Sequence, residues 1–166
     1  MIDSGGRGFI PSPGNGPGGT AVPGQGNAGG TNNAPGPFGD DNGCGGGGAG
    51  GAGANHNNSG EGPNGGAGLE YSISGSPFFY AGGGGSGTSS TGGTYAFSGE
   101  GGSSIGAHGA CNSVGNPRTA GTAVVNRGSG GGGSCPGSPA SAGSSGIIIV
   151  RFETTQTINS PSFRIE

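Results

Sequence analysis

The chain has 166 residues, of which 49 are Gly and 12 are Pro, whereas Leu, Ile, Val and Phe together supply only 22. This share of large apolar residues is too small for the core of a helical bundle, a Rossmann domain or a TIM barrel. The net charge is −3 and the five basic residues, all Arg, are scattered along the chain, so no basic stripe predicts nucleic-acid binding.

Two states are compatible with this composition: a flexible Gly/Ser linker, or a fold ordered by backbone hydrogen bonds. Short runs with Gly at every third position recur, as at Gly62, Gly65 and Gly68, but the period breaks too often for collagen. Polyproline II helices have three residues per turn and no internal hydrogen bonds, so helices with Gly on one side can pair. The sequence predicts a sandwich of stacked polyproline II (polyglycine II) helices, mostly coil by standard assignment, with essentially no α-helix.

Residues 1–42 form a segment rich in Pro, Asn and Gly, without the basic and apolar stretches of a secretory signal. Residues 43–152 are assigned to one glycine-rich domain. Within it, GGGGAGGAG from Gly45 to Gly53 carries Gly on two sides of a three-residue helix, which favours a place inside a layer. The longest apolar run, Ile147 to Val150, is too short to span a bilayer, so no membrane insertion is expected.

A β-hairpin is predicted over residues 69–80, LEYSISGSPFFY. Apolar residues alternate through Leu69, Tyr71 and Ile73, a turn follows at SGSP, and the chain returns through FFY. Alternation bounded by turn residues is typical of two short strands.

A closing β-strand is predicted over residues 147–152, IIIVRF, because a short β-branched run is typical of a strand buried on both faces. With the hairpin it is expected to supply a small apolar core, which a disordered linker has no reason to contain. A tail, residues 153–166, follows. The expected core residues are Leu69, Tyr71, Ile73, Phe78, Tyr80, Ile147, Ile149 and Phe152.

The reactive residue types show no catalytic, cofactor-binding or metal-binding pattern. Cys44, Cys111 and Cys135 lack the close-pair spacing of zinc sites, so buried or half-buried thiols are favoured, with a Cys111–Cys135 disulfide as the alternative. His56 and His108 are interpreted as solvated loop residues. GQGNAG, residues 24–29, fits the dinucleotide pattern only by chance, since no strand precedes it and no helix follows. We expect no enzymatic activity, cofactor or metal.

Two stretches resemble a known family: GGAGLEYSISGSPFFYAGGGG, residues 65–85, and GSSGIIIVRF, residues 143–152. They are similar to the glycine-rich domain of tail-fibre and other virion proteins of bacteriophages, and the similarity covers roughly residues 43–152. Two departures are the Pro/Asn-rich segment 11–38 upstream and the tail after the closing strand. The matching positions are Gly68, Leu69, Ser72, Ile73, Ser74, Gly75, Tyr80, Ala81, 82–85 and 146–152.

The resemblance implies a virion structural protein, a tail or head fibre module that presents loops for attachment to the bacterial host surface. The implied partners are other virion proteins and a bacterial surface receptor, either an outer-membrane protein or a glycan. The implied location is the virion, outside the cell, as a homotrimer or as a single copy at a fibre tip. The alternatives are a capsid-decorating or extracellular filament subunit without receptor contact and, disfavoured by the broken three-residue period, an ice-binding protein.

Recognition is expected where side chains reappear between glycine runs. Tyr95 and Phe97, in GGTYAFSG, and the stretch from Asn112 to Arg118 are the candidate receptor contacts. Aromatic residues supply contact area at low entropic cost. The competing interpretation is that the two aromatic residues cap one end of the stacked helices against water.

Overall fold

The computed structural model describes residues 16–32, 43–56, 61–89, 97–113 and 115–152. Within these ranges the only regular elements are strands β1, Leu69–Tyr71, and β2, Phe78–Tyr80, and one turn of 3₁₀ helix at Gly102–Ser104. The described chain is otherwise coil, turns and isolated bridges, and it contains no α-helix. This confirms the prediction of a mostly coil protein without α-helix. Among the described residues, none lies in a helix with the length and apolarity that a membrane crossing requires.

Strands β1 and β2 form the predicted hairpin. They pair antiparallel, with Leu69 opposite Tyr80. In the turn between them Gly75 has a φ of 98°, in the left-handed region that favours glycine. The N–H of Gly75 donates to the carbonyl of Ser72 at 3.0 Å, which closes the turn.

The centre of the structure is residues 81–89, which we call the central segment. Every residue in it is buried. Because a buried backbone must have its N–H and C=O groups paired, the neighbours of this segment are decisive for the fold. Its backbone is hydrogen-bonded to the segments 43–49, 63–66, 99–102, 107–110 and 127–133.

The hydrogen bonds between segments recur at every third residue. Along the antiparallel neighbour, the donor–acceptor pairs are Gly43–Gly87, Gly46–Gly84 and Ala49–Ala81; along the parallel neighbour, they are Gly85–Ala107 and Thr88–Ala110. The outer segments keep this spacing, with the pairs Arg118–Cys111, Gly121–His108 and Val124–Ile105, and then Ser138–Cys135, Ser141–Gly132 and Ser144–Ser129. A single spacing therefore connects segments across the structure.

Glycine is required where these backbones touch. A Cβ on Gly84 would overlap the carbonyl oxygen of Gly131, and one on Gly85 would overlap that of Gly99. The side chains that are buried among the described residues are mostly small ones of Ala, Ser, Thr and Cys. The interior is therefore filled by backbone rather than by large apolar side chains.

The predicted apolar core is not formed. Tyr80 is buried, with 8% of its surface exposed, and Ile149 is half-buried. The prediction is wrong for the others because the interior backbones approach too closely to admit large side chains. Those exposed residues are Leu69, Tyr71, Ile73, Phe78, Ile147 and Phe152.

The predicted closing strand, residues 147–152, is not a strand. The last backbone hydrogen bond in this part of the chain joins Gly128 to Ser145 at 2.9 Å. Residues 146–152 form no hydrogen bond with another described residue, and Ile148 is 93% exposed. β-Branched residues favour strands only when a partner backbone is beside them, and β1 and β2 pair with each other instead.

Residues 16–32 are hydrogen-bonded to the segments that follow. Gly30 donates to the carbonyl of Gly45 at 2.9 Å, and Gly53 donates to that of Ala28 at 3.0 Å. The hydrogen-bond network thus crosses the predicted boundary at residue 42. The predicted tail, residues 153–166, lies outside the described residues.

Successive segments run alternately in opposite directions, so the connections between them gather at two ends. The hairpin end contains β1 and β2, the turn at Gly102–Ser104, and residues 124–128 with Ser145, to which they are hydrogen-bonded. The opposite end contains residues 97–98, 111–113, 115–118 and 135–138, and we call it the Asn112 end.

Gly84→Ala is expected to lower the free energy of unfolding by about 3 kcal/mol or more, because the added methyl group overlaps the Gly131 carbonyl. Gly146→Ala is the matched control, since a Cβ there has nothing within 4 Å. We expect that variant to be neutral or stabilised by less than about 1 kcal/mol. Urea unfolding measures both, and equal stability of the two variants would contradict the backbone packing described above.

Candidate functional site

The candidate site is the Asn112 end, where Phe97, Asn112 and Arg118 lie on neighbouring segments. The Arg118 backbone pairs with Cys111, next to Asn112, and its side chain reaches the segment that begins at Phe97. Tyr95, the fourth residue predicted for recognition, lies outside the described residues. The structure therefore brings the two predicted recognition stretches together at one end.

The turn that carries Asn112 is closed by backbone pairing. Cys111 and Arg118 exchange two backbone hydrogen bonds, both 2.7 Å long. Inside the turn, the N–H of Asn116 donates to the carbonyl of Ser113 at 3.2 Å. These bonds fix the two ends of the turn relative to each other, so the backbone that carries Asn112 is held in place.

Arg118 forms a two-pronged ion pair with Glu100. Its Nη1 lies 2.5 Å from Oε1 and its Nη2 3.2 Å from Oε2, and Nη1 also lies 3.4 Å from Ser98 Oγ. The hydrogen bond from Arg118 holds the pKa of the Glu100 carboxyl below its usual range. The backbone N–H of Glu100 is in turn bound by Asn64 Oδ1 at 2.8 Å. Arg118 is thus charge-compensated and positions the turn on the body, rather than offering an unpaired cation.

Phe97 and Asn112 are the exposed members of the site. Phe97 is 52% exposed. Its backbone carbonyl accepts a hydrogen bond from the Gly62 N–H at 2.6 Å. Asn112 is exposed, and its Nδ2 donates to the Pro136 carbonyl at 3.2 Å. An exposed ring can stack and an exposed amide can hydrogen-bond, which suits contact with a sugar ring or a peptide.

The histidines differ from the prediction of solvated loop residues. His56 is only 1% exposed, and its Nδ1 lies 3.2 Å from Asn32 Oδ1. His108 is half-buried, with Nδ1 3.0 Å from the Gly109 carbonyl and a ring so close to Gly121 that a Cβ there would overlap it. The burial of His56 depends on pairing between segments 26–32 and 51–56, which sequence spacing does not reveal.

No cluster of three or more His, Cys, Asp or Glu side chains in the described ranges is arranged to hold a metal ion. Cys111 and Cys135, both buried, lie at the Asn112 end, whereas Cys44 is half-buried beside the His56 backbone. The site therefore consists of an exposed ring, exposed amides and a compensated ion pair.

Comparison with protein-family models, curated proteins and solved structures gives no match for this chain. The resemblance to glycine-rich virion domains therefore rests on the residues quoted above.

Glu100→Gln is expected to lower the free energy of unfolding at pH 7 by less than about 1 kcal/mol, because this ion pair is partly exposed. The pKa of Glu100 is depressed in the folded protein, so its stabilisation is complete above the unfolded pKa of about 4.3 and is lost as the pH falls through the folded value. Urea unfolding at several pH values should show the difference from the wild type shrink as the pH falls below about 4.3 and vanish once the pH is below the folded pKa of Glu100.

Glu70→Gln is the control, because Glu70 is an exposed carboxylate on β1, at the hairpin end. We expect its effect to stay within about 0.5 kcal/mol at both pH values. If the wild type stays more stable than Glu100→Gln by the same or a larger free energy of unfolding at low pH, Arg118 does not stabilise the Glu100 carboxylate.

Proposed function

We propose that the hydrogen-bonded segments are polyproline II (polyglycine II) helices stacked into a sandwich. The three-residue spacing of the hydrogen bonds equals the number of residues in one turn of such a helix. Gly101 has φ −72° and ψ 145°, close to the ideal values for this helix. The glycines on the touching sides supply the close approach that pairing requires.

The sandwich explains how a chain with so few large apolar residues stays folded. Each backbone hydrogen bond contributes about 1 kcal/mol net, and leaving a buried group unpaired costs about 1–3 kcal/mol. The central segment is hydrogen-bonded to neighbouring segments on several sides. Sliding or removing one helix would therefore leave many backbone N–H and C=O groups unpaired. The cohesion is therefore cooperative although it comes from small contributions.

The amides of Gly83, Gly85 and Thr88 are expected to exchange with solvent orders of magnitude more slowly than those of residues 147–150. The former are buried and donate to backbone carbonyls, whereas the latter form no hydrogen bond with another described residue. Native-state hydrogen exchange followed by NMR measures both groups in one sample. Equal rates would contradict the sandwich.

We also infer that the protein is a structural component of a bacteriophage virion, a tail or head fibre module that attaches to the bacterial host surface. The observation that carries this proposal is the chemical difference between the two ends. Of the exposed large apolar residues that lie on hydrogen-bonded segments and turns of the described chain, Phe97 alone lies at the Asn112 end. An apolar end and a polar end suit a module that docks on another virion protein at the apolar end and binds the host receptor at the polar end.

The hairpin end is proposed as the surface that docks on another virion protein. Exposed apolar side chains gathered on one surface mark interaction sites in soluble proteins. A homotrimer formed through this surface is the alternative, and sedimentation of the purified chain distinguishes the two. The exposed residues are Leu69, Tyr71, Ile73, Phe78, Phe79, Val124 and Val125.

The Asn112 end is proposed to contact the receptor, an outer-membrane protein or a glycan. Its ring and amides offer stacking and hydrogen bonding, while the Arg118–Glu100 pair is internally compensated. We therefore expect binding that depends weakly on salt, in contrast to binding driven by an unpaired charge.

Virions carrying Phe97→Ala are expected to bind the host with about tenfold lower affinity, the effect of losing about 1.4 kcal/mol of contact. Phe79→Ala is the matched control, because Phe79 is also a surface aromatic residue, 40% exposed, but lies on β2 at the hairpin end. Adsorption per incorporated copy should be unchanged in that variant. Wild-type adsorption by Phe97→Ala particles, with the protein repeated along a shaft or lattice, would instead favour a decorating subunit.

A further inference from the structure

Cys111 and Cys135 lie on adjacent, parallel segments at the Asn112 end. All three cysteines of the chain are thiols in the structure. Two hydrogen bonds join the segments on either side of Cys111 and Cys135. These run from Ala110 N to the Gly133 carbonyl at 2.8 Å and from Asn112 Nδ2 to the Pro136 carbonyl at 3.2 Å.

This register sets the distance between Cys111 and Cys135. Since Ala110 is bonded to Gly133, Cys111 stands opposite Ser134, and Cys135 is one residue further along. Paired chains lie about 4.8 Å apart and an extended three-residue helix rises about 3.1 Å per residue, which gives a Cα separation of about 5–6 Å. A disulfide requires about 4.4–6.8 Å.

The surroundings of the two thiols differ in a way that assigns them separate roles. Burial raises the pKa of the Cys111 thiol, but its hydrogen bonds with Ser113, at 3.2 and 3.4 Å, and with Thr88, together with the charge of Arg118, outweigh burial, and the net pKa is lowered. Burial, and secondarily the charge of Cys111, raise the pKa of Cys135. The Ser113 N–H and hydroxyl beside the Cys111 sulfur stabilise a thiolate there, so Cys111 is assigned as the first thiol to react and Cys135 as the resolving thiol.

We propose that Cys111 and Cys135 form a peroxide-sensitive pair that closes into an intramolecular disulfide across the base of the Asn112 turn. Cys111 and Cys135 are only 2% and 9% exposed, so a small oxidant such as hydrogen peroxide reaches them in preference to a bulky disulfide. This site is separate from the receptor contact proposed above and does not depend on it.

The reaction balances with peroxide as the two-electron oxidant. The Cys111 thiolate attacks one peroxide oxygen, the O–O bond breaks, and a sulfenic acid and hydroxide form. The Cys135 sulfur then attacks the sulfenic sulfur, the S–O bond breaks, and the Cys135 proton leaves with the hydroxyl group as water. Two thiols and one peroxide thus become one disulfide and two waters.

The disulfide would tie together two turns that are already joined by the Asn112–Pro136 hydrogen bond. It closes the stretch of chain from Cys111 to Cys135, and a cross-link of this kind stabilises mainly by restricting the unfolded chain. The oxidised protein should therefore melt several degrees higher than the reduced protein, with the turn that holds Asn112 fixed from both sides.

The test treats the reduced, purified full chain with hydrogen peroxide, alkylates the remaining thiols and digests after Arg and Glu. The three cysteines then fall on separate peptides, residues 8–61, 101–118 and 128–151. We expect peptide 101–118 joined to peptide 128–151, with Cys44 alkylated and the cross-link lost on reduction. Recovery of both peptides unjoined, or joined to Cys44, would overturn the proposal.

Variants and isotope labels test the roles and the connectivity. In Cys135→Ser, dimedone added with denaturant after the peroxide is removed should trap a sulfenic acid at Cys111, whereas Cys111→Ser should leave Cys135 unoxidised under the same conditions. Cys44→Ser is the control and should form the cross-link as the wild type does. In a mixture of ¹⁵N-labelled and unlabelled chains, cross-links that combine both isotopes would show pairing between molecules and refute an intramolecular bridge.

Discussion

Backbone hydrogen bonding between segments that touch through glycine is the interaction on which this structure depends. The central segment is buried throughout, so each of its N–H and C=O groups needs a partner from a neighbouring segment. That pairing demands an approach at which a single Cβ, for instance on Gly84, would overlap a neighbouring carbonyl. The high glycine content is therefore required by the packing. Backbone hydrogen bonds between touching segments replace the burial of large apolar side chains that stabilises most domains.

This packing also decides where the large apolar residues lie. An interior of touching backbones has no room for large side chains such as Phe78, Ile148 or Phe152, so these remain exposed. Among the described residues, the usual relation between large apolar residues and the protein interior is therefore mostly reversed, although Tyr80 is buried and Ile149 is half-buried. The exposed surface is a natural place for a partner protein, and it separates docking from recognition in the proposed function.

The Asn112 end is ordered by polar contacts of a different kind. Among the described residues, the Arg118–Glu100 pair and the backbone pairing of Cys111 with Arg118 hold this end together. Sequence inspection identified Phe97, Asn112 and Arg118 as residues that stand out between glycine runs. It could not foresee that Arg118 is compensated by Glu100, because that pair joins residues from separate segments.

The sequence by itself determined the local features: the absence of α-helix from the described parts of the chain, the hairpin over residues 69–80 and the three-residue glycine periodicity. These depend on propensities and spacings within a few residues. Only the tertiary structure decided that residues 81–89 are central, that the expected core is exposed and that residues 147–152 form no strand. The reason is physical: glycine segments carry no side chains to distinguish one neighbour from another, so pairing is settled only when all segments are assembled together.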